Sequence, residues 1–321
     1  MRRGLWLAPL ALLPALASGC VRPSRGAGEP ARVERNANSN SNTAAAATPP
    51  AGFTDADYAR HVAGLKKKLP SEYFHVVVEK PFVVVGDGGR REVEGYAGGT
   101  VRWAVEMLKK DFFEKDPADI IDIWLFKDSD SYRTHAKSLF GREPTTPYGY
   151  YSPAHKALVM NIETGDGTLV HEIVHPFVEA NFPGCPPWLN EGLGSLYEQS
   201  GQEEGRIVGY TNWRLPGLQR AVRQRQLKPF RELLAMDGRA FYDDARGTNY
   251  AQARYLCYYL QQRGLLTRFY KEFHRNRAAD PNGFDTLKKV LGETDVDAFQ
   301  KRWEKFVLEL SEEFRLTPVE P

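Results

Sequence analysis

Two histidines and a glutamate fall within five residues at His171-Glu172-Ile173-Val174-His175. The histidines are four apart, so a helix would carry both imidazoles on one face, one turn from each other. Neutral imidazole suits Zn²⁺, and two such nitrogens make half of a tetrahedral site. Glu172 stands beside the first histidine, close to an ion held by the pair but turned away from direct ligation. From there its carboxylate can take a proton from a zinc-bound water. A hydrolytic site of this kind needs one more protein donor and one position open to water.

The metzincin arrangement would put glycine at position 178 and histidine at position 181, but the chain has Val178 and Asn181. That branch is excluded. Further on, Pro186-Pro187-Trp188-Leu189-Asn190-Glu191-Gly192 opens a second helix with Glu191 in its first turns. A carboxylate there is also what a positive helix N-terminus favours, whatever its function.

Taken together, HEIVH followed by PxWLNEG resembles the gluzincin zinc metallopeptidases, in particular their small exported bacterial branch. The resemblance is good over about residues 145–265 and holds elsewhere in outline. It implies an α+β, zincin-like domain: a small N-terminal sheet ending in an edge strand over the HExxH helix, and a mainly helical C-terminal half. Within it, Glu191 completes a zinc site with His171 and His175, Glu172 acts as general base, and the metal polarises the scissile carbonyl. Gluzincins also supply a Tyr or His from a later helix to support the tetrahedral intermediate. Tyr250, in GTNYAQARYLCYYL, is the candidate here, with Tyr210 and Tyr255 behind it. The edge strand that pairs with substrate backbone would be Lys156–Asn161.

Two departures from the family pattern matter. Pro176 cannot donate to the carbonyl of Glu172, so a kink is expected after His175. Ser195 stands where many gluzincins carry an acidic residue that orients a zinc-bound histidine, which leaves Glu198 as the alternative acceptor. The leading expectation is therefore zinc-dependent cleavage of a peptide or protein substrate. The alternatives are a catalytically silent zincin-fold binding or scaffold lipoprotein, and a zinc amidase acting on cell-wall peptides.

The elements that would position these groups follow from periodicity. Thr54 reads as an N-cap, with Tyr58, Val62, Leu65 and Leu69 on one helical stripe. Phe74–Val78 and Phe82–Val85 are β-rich, and Val101, Val105, Leu108 and Phe112 mark one side of a helix. Asp119–Phe126 reads as a strand, Ser131–Phe140 as a helix stopped by Gly141, and residues 148–162 as a hairpin. Beyond residue 165 the pattern is almost wholly helical, and apolar stripes such as Phe299, Trp303 and Leu310 read as core.

Residues 1–20 read as a signal peptide: Arg2 and Arg3, an apolar Gly4–Leu16, and small residues before Cys20. Ala17-Ser18-Gly19-Cys20 resembles a bacterial lipobox, which implies a lipidated Cys20 holding the protein to a membrane. Val21, where aspartate retains many such proteins at the inner membrane, points to the outer membrane or periplasm. Residues 21–52, rich in Pro, Ala, Asn and Ser, read as a disordered tether, and residues 53–321 as the metallopeptidase domain. Of the formal net charge of +2, Arg2 and Arg3 contribute +2 and residues 21–52 another +2, so residues 53–321 carry −2. Such a domain offers no electrostatic footprint for nucleic acid. Cys185 and Cys257 could pair outside the cytoplasm or stay as thiols. His61, His75, His135, His155 and His274 show no ligand spacing and read as structural.

Overall fold

The computed structural model describes residues 52–311 apart from Arg142. The expected signal peptide and Cys20, and the expected tether up to residue 51, lie outside the described residues.

The first helix, α1 (Asp55–Lys66), is set by a capping box: Thr54 accepts from the Asp57 backbone N–H, and the Asp57 carboxylate accepts from that of Thr54. Then follow β1 (His75–Glu79), β2 (Phe82–Gly86), α2 (Arg90–Tyr96), a π-helical turn (Ala97–Val101), α3 (Arg102–Asp111), β3 (Ile121–Phe126) and α4 (Ser129–Phe140). Gly141, at φ 78°, ends α4 in the left-handed conformation. β4 (Gly149–Ser152) and β5 (Ala157–Asn161) are joined through a 3₁₀ turn, Pro153–His155.

These five strands form one mixed sheet in the order β1-β2-β3-β5-β4. β2, β3 and β5 run parallel, while β1 and β4 are antiparallel to their neighbours. Central parallel strands are covered on both faces, which is why they read as unbroken apolar runs. Phe82, Val84, Ile123, Leu125, Leu158 and Met160 point into the larger core. The alternate residues Val83, Val85, Trp124, Phe126 and Val159 meet Tyr58, Leu65 and Tyr132 on the other face.

One strand expectation is corrected here. Residues 157–161 are an interior strand between β3 and β4, all buried, so Lys156–Asn161 has no free edge to offer. The sheet's edges are β4, next to it, and β1 at the far side.

The larger core joins the sheet to the helical half. α5 (Gly167–Asn181) and α6 (Pro187–Leu196) come first, followed by a small hairpin, β6 (Ser200–Glu203) and β7 (Arg206–Gly209). The hairpin interrupts the stretch expected to be helical. It turns on Glu204 and Gly205, both at positive φ (50° and 72°), as a tight two-residue turn requires. The remaining helices are α7 (Leu215–Arg223), α8 (Phe230–Leu234), α9 (Gly238–Tyr242), α10 (Thr248–Gln262), α11 (Leu266–Asn276), α12 (Phe284–Leu291) and α13 (Val296–Glu309). The mixed α+β architecture agrees with the sequence expectation.

α6 packs closely on α10 because of Gly192: a Cβ there would stand 2.9 Å from Cys257 Sγ and 3.1 Å from the Ala253 carbonyl. The C-terminal carbonyls of α6 are held by Arg254 of α10, a fully buried guanidinium. Its Nε donates to Ser195 at 2.8 Å, and its Nη2 donates to the carbonyls of Leu196 and Tyr210. A cation at that end also opposes the helix dipole. Among the described residues no helix is long and apolar enough to cross a membrane.

Candidate metal centre

α5 continues through Pro176, with helical residues on both sides of it, and keeps His171 and His175 on one face. Their rings lie 4.9 Å apart at 72° to one another. From α6, Glu191 turns its Oε2 toward both, at 3.2 Å from His171 Nε2 and 3.9 Å from His175 Nε2. The three candidate ligand atoms all lie within 4.8 Å of one another, so the group could hold a metal ion. The side chains of His171, His175 and Glu191 are 8%, 11% and 7% exposed, which leaves little water to solvate a carboxylate. A buried carboxylate needs a compensating cation, and two imidazole nitrogens beside it complete a donor set suited to a divalent ion.

The surroundings favour positive charge at this point. Burial alone would lower the basicity of His171, but hydrogen bonds to Glu191 and Glu198, with the charge of Glu172, push it up to about 10. Burial would raise the Glu191 carboxyl, yet His175, His171 and Tyr242 hold it down to about 2. The carboxylates that favour a proton on the ring would equally favour a divalent cation beside it.

Each of the three residues has its remaining polar atom occupied. His171 Nδ1 donates to Glu198 Oε1 at 3.1 Å, and His175 Nδ1 donates to Asn190 Oδ1 at 3.0 Å. Tyr242 Oη donates to Glu191 Oε1 at 2.8 Å. Both imidazoles therefore present Nε2 to the shared space. Glu198 is itself clamped by Arg214, through Nη2 at 2.7 Å and Nε at 3.1 Å, and by Asn212 Nδ2 at 3.2 Å. Although burial would raise its carboxyl, the bonds to His171 and Arg214 hold Glu198 down to about 2.

Glu172 is buried beside this group, with Oε2 3.8 Å from His175 Nε2, and lies outside the ligand trio. Among the described residues no Lys or Arg pairs with it. The group opens into a cleft of about 1600 Å³. Its walls include Tyr150 and Tyr151 of β4, Glu172 of α5, Tyr242 of α9 and Tyr250 of α10. Tyr250 packs 6.2 Å from Tyr242 and 5.2 Å from Phe241, with the Arg214 guanidinium 5.5 Å from its ring centre. Burial keeps its phenol well above the usual range.

Tyr210 also lines the cleft, whereas Tyr255 does not. Tyr255 is fully buried, and its Oη accepts from the Asn212 backbone N–H at 3.1 Å. Cys185 and Cys257 are free thiols, and burial pushes Cys257 up to about 12.

Asn190, Arg214 and Tyr242 are the residues around the candidate site that the sequence did not point to. Asn190 had a visible signal, being the one uncharged polar residue in the run Trp188–Glu191. Arg214 and Tyr242 had none, because each reaches the site from a distant segment. No protein-family model matches the chain, and no curated protein matches it.

Proposed function

We propose that the protein is a zinc-dependent metallopeptidase that hydrolyses peptide bonds at the bacterial cell envelope, tethered through lipidated Cys20. The observation that carries this reading is the convergence of two imidazoles and one carboxylate, with a second carboxylate, Glu172, beside His175 and in the wall of the cleft. A zinc ion held by His171, His175 and Glu191 would supply Lewis acidity, acidifying a water and polarising a carbonyl.

The chain's own residues account for the rest. Glu172 accepts a proton from the attacking water at its carboxylate and returns it to the leaving amine. Tyr250, which lines the same cleft, would offer a phenol O–H to the oxygen of the carbonyl under attack. β4, an edge strand of the sheet whose residues line the cleft, is where an extended substrate would pair its backbone, the role that the sequence assigns to Lys156–Asn161. A cleft of about 1600 Å³ suits a polymer better than a small molecule, whose sites run about 300–1,000 Å³.

Two observations support activity over a silent site. His171, His175 and Glu191 converge although Pro176 follows His175, and Glu198 gives His171 a carboxylate partner although residue 195 is serine. A zinc amidase would use the same residues on a different bond, and a screen of mixed peptides and cell-wall fragments separates the two.

Purified protein is expected to hold about one zinc per chain and to cleave peptides in a chelator-sensitive way. Glu172→Gln should keep the metal and lose about 10²–10⁴-fold in rate. Full activity in that variant, or an intact fold that takes up no metal, would sink the reading. Cys20→Ser should move the protein from the membrane fraction to the soluble one.

A further inference from the structure

A carboxylate can hold a divalent ion through one oxygen or through both. With two histidines already bound, the second mode would occupy a position that a hydrolytic site must leave open. Which mode Glu191 adopts therefore decides whether the group is a closed structural site or an open one.

The two oxygens of Glu191 are not equivalent. Oε2 faces both imidazoles, whereas Oε1 accepts the Tyr242 phenol hydrogen at 2.8 Å. The short helix that carries the phenol is anchored at two points. α9 is capped by Asp237, which accepts from the Ala240 N–H at 2.8 Å. Phe241 anchors the helix in the core, fully buried, and its carbonyl accepts from Asn249 Nδ2 at 3.0 Å. Tyr242, the next residue, is half exposed in the cleft wall, and its hydroxyl reaches inward to Glu191.

We propose that Tyr242 is a positioning residue that restricts Glu191 to one-oxygen ligation and so keeps a coordination position free at the metal centre. This rests on the metal reading of His171, His175 and Glu191. Glu198 and Asn190 do the comparable service for the histidines, but only for a carboxylate does the outer hydrogen bond also set the number of positions taken. Tyr242 thus marks the site as one built for hydrolysis, and its role is separate from that of Tyr250.

The test uses Co²⁺, whose visible absorption is intense in tetrahedral sites and weak at higher coordination number. Full-length wild type, Tyr242→Phe and, as a control, Tyr151→Phe are loaded with Co²⁺ and titrated with azide, a small anion that enters an open position. Tyr151 also lines the cleft, but its hydroxyl donates to Glu179, which is outside the metal group. Wild type and Tyr151→Phe are expected to show the intense bands and an azide-induced shift. Tyr242→Phe should show bands weakened at least about twofold, azide binding weakened about tenfold, and Zn²⁺ affinity lower by about tenfold. Tyr242→Leu, read in the same way, covers a failure of the first variant to fold. If wild type takes up no Co²⁺, the metal reading and this inference fall together. If it does, and spectra and azide binding are unchanged without the phenol, only this inference is overturned.

Discussion

Gly194 lies directly against the His171 ring: a Cβ at residue 194 would stand 2.9 Å from Cδ2 and 3.0 Å from Nε2. The run Glu191-Gly192-Leu193-Gly194 thus serves two neighbours. Glu191 meets the histidines, Gly192 lets α10 approach, and Gly194 makes room for an imidazole.

Substituting the two glycines should separate stability from metal binding. Gly194→Ala is expected to displace His171 and lower Zn²⁺ affinity by about tenfold or more, read by competition with a chromogenic chelator. Gly192→Ala pushes against Cys257 and a backbone carbonyl, so it should cost about 1–3 kcal/mol of folding stability in urea. Equal loss of zinc affinity in both would contradict this division.

Glu198 orients His171 while neutralising Arg214. Glu198→Gln keeps a hydrogen-bond acceptor but removes the charge, and should weaken zinc binding by about 10-fold to 100-fold. Asn190→Leu, acting on His175, should fall in the same range. Metal content measured after dialysis against graded chelator gives the comparison. Wild-type retention in both variants would mean that these bonds do not matter for the site.

Arg254 is fully buried and joins three backbone carbonyls around the end of α6. Arg254→Met leaves those acceptors without their donor, at about 1–3 kcal/mol for each unsatisfied group. A loss of about 3 kcal/mol or more in denaturant unfolding is expected, whether or not zinc is present. A loss below about 1 kcal/mol would show that water can replace the guanidinium.

Metal binding should stabilise the fold, because the two ligand helices meet only in the native state. With free zinc at about 1,000 times its dissociation constant, the gain is about 4 kcal/mol. A chelator should therefore lower the unfolding temperature and added zinc should restore it. An unfolding temperature indifferent to both would argue against a site formed by α5 and α6 together.

Much of this protein could be read along the chain. The Thr54 cap, the buried runs of β2 and β5, the halt at Gly141 and the four-residue spacing of His171 and His175 are local features. Each depends on contacts within a turn or two, so residue type and period suffice to identify it. The hairpin at Glu204-Gly205 also had a local signal, but its polar strands carry too little apolar alternation to stand out beside the helices.

Tertiary structure alone decided which strand is the edge and which side chains finish the site. β5 pairs with β3 across an intervening helix, and an apolar run looks the same in an edge strand as in a central one. Glu198 was legible only as a candidate acceptor for one of the two histidines; its choice of His171 and its clamp by Arg214 were not. Tyr242 reaches Glu191 across 51 residues of sequence. Such pairings are set by how helices dock, and docking depends on close approaches such as those at Gly192 and Gly194 rather than on any spacing along the chain.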